Sequence, residues 1–251
     1  MLTKQRQDDL LFLLLARPEA RNALSSALVD VLTRTLDESS RDESVSAVVL
    51  GSTQPSVFAS GGDLAELTSL PHDATGAAKV LELGRLAHAL EAHPVPVIAA
   101  VNGAAIGGGA EVCVACDLIV MSQNASIRFV HGRMGLTPAW GGGTRLEERV
   151  GSGRASELLF TGRAVSAHEA LAMGLANRVS DDALDGAQKL ARELTCRPRA
   201  ALVALKHSLA TARVRRRKDA FEAEASAFEK AWGQPANLDA FAAVKREKDH
   251  R

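Results

Sequence analysis

Residues 94–116 read PVPVIAAVNGAAIGGGAEVCVAC, and a single residue of this run, Glu111, carries a charge. Two prolines and the β-branched residues beside them disfavour a helix, so Pro94–Val101 is predicted to be extended. Residues 108–116 read as a short buried helix, and Leu118–Met121 as a further strand. A strand and a helix that are both apolar all round need cover on every side. The interior of a layered α/β domain supplies it.

The flanking sequence fits such a domain. Leu10–Ala16 is a short apolar run closed by Arg17-Pro18 and reads as a buried strand. Ser25 or Ser26 caps a helix whose Leu28, Val31, Leu32 and Leu36 recur at helical spacing. Ser46–Leu50 is the next strand, ending at Gly51, and a long helix is predicted over Ala77–His93. From about residue 152 the pattern is almost entirely helical, which argues for an appended bundle or an oligomerisation element. We therefore expect an α/β core over residues 1–190 and a helical region over 191–251.

The chain has 251 residues, enough to bury one large core. Its 30 basic residues balance 30 acidic ones, so no overall basic field draws nucleic acid. The opening MLTKQRQDD is charged, and LLFLLLA is too short to span a bilayer. A cytoplasmic protein with no membrane partner is the expectation. Cys113 and Cys116 form a CxxC inside the apolar run VCVAC, which favours small buried thiols over a redox pair. No second CxxC or histidine pair suggests a metal.

Two glycine loops carry the chemistry. Phe58-Ala-Ser-Gly-Gly-Asp-Leu64 follows a strand and opens a helix, and so does Gly107-Gly-Gly-Ala-Glu111. Glycines at such points let backbone N–H groups approach a ligand, and helix amino ends favour negative charge. Two loops from different parts of the chain could each aim one N–H at a single developing oxyanion, as enolate or tetrahedral chemistry at a carbonyl needs. Neither loop is a phosphate loop or a GxGxxG. Glu111 follows Gly108 by three residues, which puts its side chain on the face of the Gly108 N–H. Proton transfer and simple complementation of the helix dipole are equally open roles for it.

RPEARNAL at 17–24, FASGGDL at 58–64 and VNGAAIGGGAEVCVACD at 101–117 together resemble the enoyl-CoA hydratase/isomerase, or crotonase, superfamily. The similarity continues through GLTPAWGGGTRL, TGRAVSAHEALAMGLANRV and the helical tail, and so covers nearly the whole chain. The resemblance implies a spiral of ββα units and a C-terminal helical region that packs trimers or dimers of trimers. It implies an acyl-CoA thioester whose carbonyl oxygen sits between the N–H groups of Gly62 and Gly108. Coenzyme A then enters as part of the substrate, with no separate cofactor. Substrate binding falls to Arg21, Ala23, Leu24, Ala59, Gly61, Asp63, Leu64 and Ala65, and Phe241 and Lys245 match tail positions that contact CoA on a neighbouring subunit. Asp63 also reads as a helix-start residue.

The sequence departs from the superfamily in SIRFVHGRMGLTPAWGGGTRL, residues 126–146. Typical hydratases carry a Pro-Glu pair shortly after the position of Phe129. Here the chain reads Phe-Val-His-Gly-Arg-Met-Gly, so Glu111 matches one of the two hydratase glutamates and the second is missing. The pattern IRFVH…MG…P.WGG.TRL and the tail AWGQPANLDA are closer to the ethylmalonyl-CoA decarboxylase branch. That resemblance implies decarboxylation of a 2-alkylmalonyl-CoA, with His131 or Glu111 as proton donor and Trp140 as an apolar wall. The alternatives are an enoyl-CoA hydratase or isomerase, and a non-catalytic RNA-binding oligomer. Arg145 is read as an anion site or a helix cap, and Arg213–Lys218 as a solvated basic face. His168 and His207 are read as helix residues without a special role.

Overall fold

The computed structural model describes residues 1–249, apart from the side chains of 214–216 and 247–249. In chain order its first half comprises β1 (Leu2–Gln7), β2 (Leu10–Leu15), α1 (Ser26–Ser40), β3 (Ala47–Ser52), β4 (Val57–Ala59), α2 (Leu64–Leu67), α3 (Ala74–Glu82), α4 (Arg85–Ala92), β5 (Val97–Val101), β6 (Ala104–Ile106) and α5 (Gly108–Ala115). The second half follows with β7 (Leu118–Ser122), β8 (Ser126–Arg128), α6 (Gly142–Val150), α7 (Ser152–Thr161), β9 (Ala164–Ser166), α8 (Ala167–Ala172), β10 (Arg178–Ser180), α9 (Ala183–Thr195), α10 (Arg199–Ala231) and α11 (Pro235–Asp249).

Two sheets organise the chain. The larger has the order β1-β2-β3-β5-β7-β10 and is parallel except for the β1–β2 hairpin. The smaller has the order β4-β6-β8-β9, with β4, β6 and β8 parallel. The chain visits them in turn: β3, β5 and β7 join the large sheet, and β4, β6 and β8 follow each of them into the small one. A helix closes each turn. This is the α/β spiral of ββα units that the resemblance implies.

The apolar runs are explained by cover on both faces. Leu11, Leu13, Leu15, Val48, Leu50, Val97 and Ala99 point into one core with α1, α4 and α5. Their alternating neighbours, Leu10, Phe12, Leu14, Ala47, Val49 and Ile98, point the other way, against α9. The boundary expected at residue 190 falls inside α9, whose Ala183, Ala187, Leu190 and Ala191 belong to this second core.

Three expectations are corrected. The stretch after residue 152 is not purely helical, since β9 and β10 complete the edges of the two sheets. The helix predicted over Ala77–His93 is two helices, broken at Leu83-Gly84. Gly84 at the break lies against Trp140: a Cβ there would stand 2.9 Å from the Leu81 carbonyl and 3.3 Å from the indole. The basic run is not a solvated face throughout. Arg217 is buried and paired with Glu91 and Glu148, while residues 214–216 have side chains outside the described set. Among the described residues no helix is long and apolar enough to cross a membrane.

Candidate active site

Residues 62, 108 and 131 lie far apart in the sequence, and the small sheet brings them together. Strands β4, β6 and β8 are parallel neighbours, so their carboxyl ends share one edge. The chain leaves those ends as the Ser60–Asp63 loop, the Gly107-Gly108 turn and a 3₁₀ turn at His131–Met134. Ligand sites in parallel sheets form at this edge.

The two glycine loops run close together. Gly61 has φ +101°, a conformation that side chains disfavour, and a Cβ there would stand 3.0 Å from the Ile106 carbonyl and 3.6 Å from the Gly108 nitrogen. The Gly62 and Gly108 N–H groups make no hydrogen bond among the described residues. Gly108 is the first residue of α5, where the helix supplies no acceptor. Both glycines line a cavity of about 240 Å³. Two unspent donors from separate loops at one cavity are the kind of group an oxyanion site is built from.

Upstream residues fix the first loop. Asn22 is fully buried, accepts from the Arg17 N–H at 2.8 Å and donates to Ser52 Oγ at 2.7 Å and to the Phe58 carbonyl at 3.0 Å. Leu24 bridges Gly62 as a short parallel pair. Asp63 caps α2 through the Ala65 N–H and is paired with Arg17 at 2.6 Å. Burial opposes its charge, but the Arg17 guanidinium and the Ala65 N–H outweigh burial and hold its carboxyl below the usual range.

Glu111 is almost wholly buried and surrounded by donors. Its Oε2 accepts the N–H groups of Trp140 at 2.8 Å and Gly142 at 3.0 Å. Its Oε1 lies 3.0 Å from His131 Nε2 and 3.5 Å from the Ala139 nitrogen. Where Glu111 is a carboxylate, both its oxygens accept and this contact places a proton on His131 Nε2. The other ring nitrogen, Nδ1, is buried with no partner among the described residues. Trp140 spends every polar group it has. Its N–H goes to Glu111, its indole N–H to the Val80 carbonyl at 2.9 Å, and its carbonyl accepts from Arg145 at 2.6 Å. Its six-membered ring lies directly against Gly108.

The family model for enoyl-CoA hydratase/isomerase matches residues 5–244. The chain belongs to this family. A rat ethylmalonyl-CoA decarboxylase is 33% identical over 245 residues, covering 95% of this chain and 81% of the relative. A short-chain-enoyl-CoA hydratase of Clostridium acetobutylicum is 35% identical over 181 residues, 71% of this chain and 69% of the relative. The crystal structure of an enoyl-CoA hydratase/isomerase from Mycobacterium paratuberculosis superposes with a TM-score of 0.89 at 26% identity, over 96% of this chain and 97% of that one.

Within this enoyl-CoA hydratase/isomerase fold, Gly61, Gly62, Leu64, Gly108, Glu111, His131 and Trp140 all line the one cavity. Arg21, Ala23, Leu24, Ala59, Asp63 and Ala65 lie behind or beside its glycine loops, with Arg21 and Ala65 exposed. The sequence did not point to the apolar wall opposite Gly108, made of Leu67, Val80, Phe228, Trp232 and Phe241. Three of these come from α10, its carboxyl end and α11, and the aromatic residues at 228, 232 and 241 in a polar tail are the signal of it. Phe241 packs into the cavity of its own chain, and Lys245 is exposed on α11.

The remaining candidates have structural partners. Arg145 holds no free anion site: it is buried, bonded to Glu91 at 2.8 Å and stacked 4.8 Å over Phe221. Cys113 and Cys116 are buried thiols, and burial pushes Cys116 up to about 12. His168 and His207 are exposed on helices. A larger groove of about 1040 Å³ lies between α4 and α10. Its buried cations Lys206 and Arg217 are committed to Asp117, Glu91 and Glu148.

Proposed function

We propose that the protein is an acyl-CoA decarboxylase that acts on a short 2-alkylmalonyl-CoA. One observation carries the reading: Glu111 is the only carboxylate lining the cavity among the described residues, and both its oxygens are occupied by donors. Syn hydration uses two carboxylates around one water, and beside Glu111 this cavity offers the His131 imidazole and no second carboxylate among the described residues.

Decarboxylation suits what remains. The thioester oxygen lies between the Gly62 and Gly108 N–H groups, which strengthen their bonds as the enolate forms. The C–C bond breaks, its electron pair enters the enolate, and CO₂ leaves. This step needs no base. No lysine or arginine lines the described cavity, so the substrate carboxylate faces an apolar wall that favours neutral CO₂. The proton that then completes the α-carbon comes from the His131–Glu111 pair carrying a second proton taken up from water, and its transfer leaves a neutral imidazole beside the carboxylate. The identity to a rat ethylmalonyl-CoA decarboxylase over nearly the whole chain supports this substrate class.

Isomerisation of an enoyl-CoA is the second reading, favoured by a single acid three residues from the oxyanion glycine. It requires Glu111 to give up one of its donors and act as a base. Incubation with ethylmalonyl-CoA, methylmalonyl-CoA and crotonyl-CoA, followed by mass spectrometry, separates the two. Loss of CO₂ from the malonyl thioesters is expected. Water addition to crotonyl-CoA without decarboxylation refutes the proposal.

A further inference from the structure

One half-buried acid outside the cavity lining is still unexplained. Glu224, on α10, places Oε2 3.0 Å from the Thr144 nitrogen and 3.1 Å from Thr144 Oγ1, both donors to it. Its Oε1 is shut off from solvent and has no partner among the described residues. Four and eight residues further along the same face, Phe228 and Trp232 line the cavity.

Helix α6 explains the placement. It starts at Gly142 and has no side-chain cap of its own. Its free N–H groups need acceptors from elsewhere. Two carboxyl groups supply them. Glu111 takes the Gly142 N–H, and Glu224 takes the Thr144 N–H, with the Gly143 N–H also turned toward it. The glycines are what let both acids in. A Cβ at Gly142 would stand 2.6 Å from Glu111 Oε2, and one at Gly143 would stand 3.1 Å from Glu224 Oε2. The segment WGGGT is therefore a seat for two carboxyl groups at one helix end.

We propose that Glu224 is a positioning residue of the active site: by holding Thr144 it fixes the first turn of α6, and with it the Trp140 and Gly142 N–H groups that hold Glu111 against His131. The role rests on the reading of Glu111 and His131 as the working pair. Burial first, and the Glu111 charge second, push the Glu224 carboxyl up. Glutamine keeps an acceptor oxygen for Thr144 at nearly the same size and shape, and is the variant that isolates the acceptor from the charge.

Three variants test this. Glu224→Gln keeps the acceptor for Thr144, Glu224→Leu removes it at similar volume, and Gly143→Ala crowds the carboxyl while favouring the helix. Turnover of ethylmalonyl-CoA is measured with each, and the His131 ring is titrated by NMR without substrate. Glu224→Leu is expected to lower kcat about 10- to 100-fold with KM within about threefold, the scale of a small misplacement. Glu224→Gln retains kcat within about threefold of the wild type. Gly143→Ala loses kcat without losing thermal stability, which a purely structural role would not produce. The His131 midpoint moves in Glu224→Leu and Gly143→Ala and stays in Glu224→Gln. Wild-type kcat in both Glu224→Leu and Gly143→Ala overturns the proposal, and so does an equal loss in Gln and Leu. If the wild type turns over no malonyl thioester, the reading of the reaction fails separately. The titration then decides alone, and an unmoved His131 midpoint in Glu224→Leu and Gly143→Ala overturns the positioning role.

Discussion

Replacing Glu111 with glutamine should separate what this residue does for the fold from what it does for the reaction. The amide oxygen can take the place of Oε2 and keep the Trp140 and Gly142 N–H bonds, now at 2.8 and 3.0 Å. The amide NH₂ then faces His131 Nε2, which must offer a lone pair and move its proton to Nδ1. That nitrogen has no partner among the described residues to forbid the change. Little is lost at Ala139, whose contact is long at 3.5 Å. Exchanging charge-assisted bonds for neutral ones costs about 1–2 kcal/mol. For a chain of this size that lowers the melting temperature by roughly 2–8 °C. Leucine at the same position strands two buried backbone N–H groups and one imidazole N–H, at about 1–3 kcal/mol each. A loss of roughly 3 kcal/mol or more is a large share of a typical domain's stability of about 5–15 kcal/mol.

Both variants should lose about 10²- to 10⁴-fold in CO₂ release, the range of a proton-transfer group. Thermal melting, product mass spectrometry and the NMR signature of the His131 tautomer together check this. Glutamine as destabilising as leucine would show that the loop needs the charge and not merely an acceptor. Full turnover in Glu111→Gln would remove Glu111 from the reaction.

Gly108→Ala drives a methyl group into the Trp140 ring and shifts one of the two oxyanion donors, so kcat should fall about 10²- to 10³-fold while circular dichroism stays native. Phe241→Val opens the apolar wall, so preference should move toward longer 2-alkyl groups by about 10-fold in kcat/KM, the worth of a methylene or more in such a pocket. His93 governs acid stability: burial, with the Lys206 charge second, holds it at about 4 against an ordinary 6.5. An unfolded His93 takes its proton below 6.5 and the folded one does not until about 4. Stability is therefore full above 6.5 and falls by roughly 3 kcal/mol as pH drops to about 4. Urea unfolding at neutral pH and near 4 should show that slope in the wild type and its loss in His93→Asn.

The four inner strands of the large sheet, β2, β3, β5 and β7, could be read from the sequence because they are long enough to carry a pattern, while its edges β1 and β10 were not. LLFLLL and AVVL are apolar at every position, which a strand covered on both faces requires. The small sheet could not. β4, β6, β8 and β9 have three residues each, too few to establish a period of two. It is this sheet that aligns Gly62, Gly108 and His131, so their convergence could be expected from the glycine loops and the family resemblance but not from any strand pattern. Arg217 was misread for a related reason. A basic run looks solvated, and only the tertiary approach of Glu91 and Glu148 gives its guanidinium a buried place.

The missing second acid is best understood through what replaced it. A facing glutamate would give Glu111 a like charge and a shared water. The segment from His131 to Gly142 gives it an imidazole and backbone N–H groups, all of them donors. The same tryptophan that presents one of these donors also backs Gly108 with its ring and ties down α3 through Val80 and α6 through Arg145. Arg145 continues the link to Glu91 and, through it, to Arg217 on α10. The oxyanion glycine, the lone acid and the helix that closes the cavity are thus fastened to one residue. A site built this way holds its acid still instead of leaving it a free lone pair. On the proposed reading, bond cleavage driven by enolate stabilisation needs no more than that, whereas the addition of water across a double bond uses two carboxylates around one water.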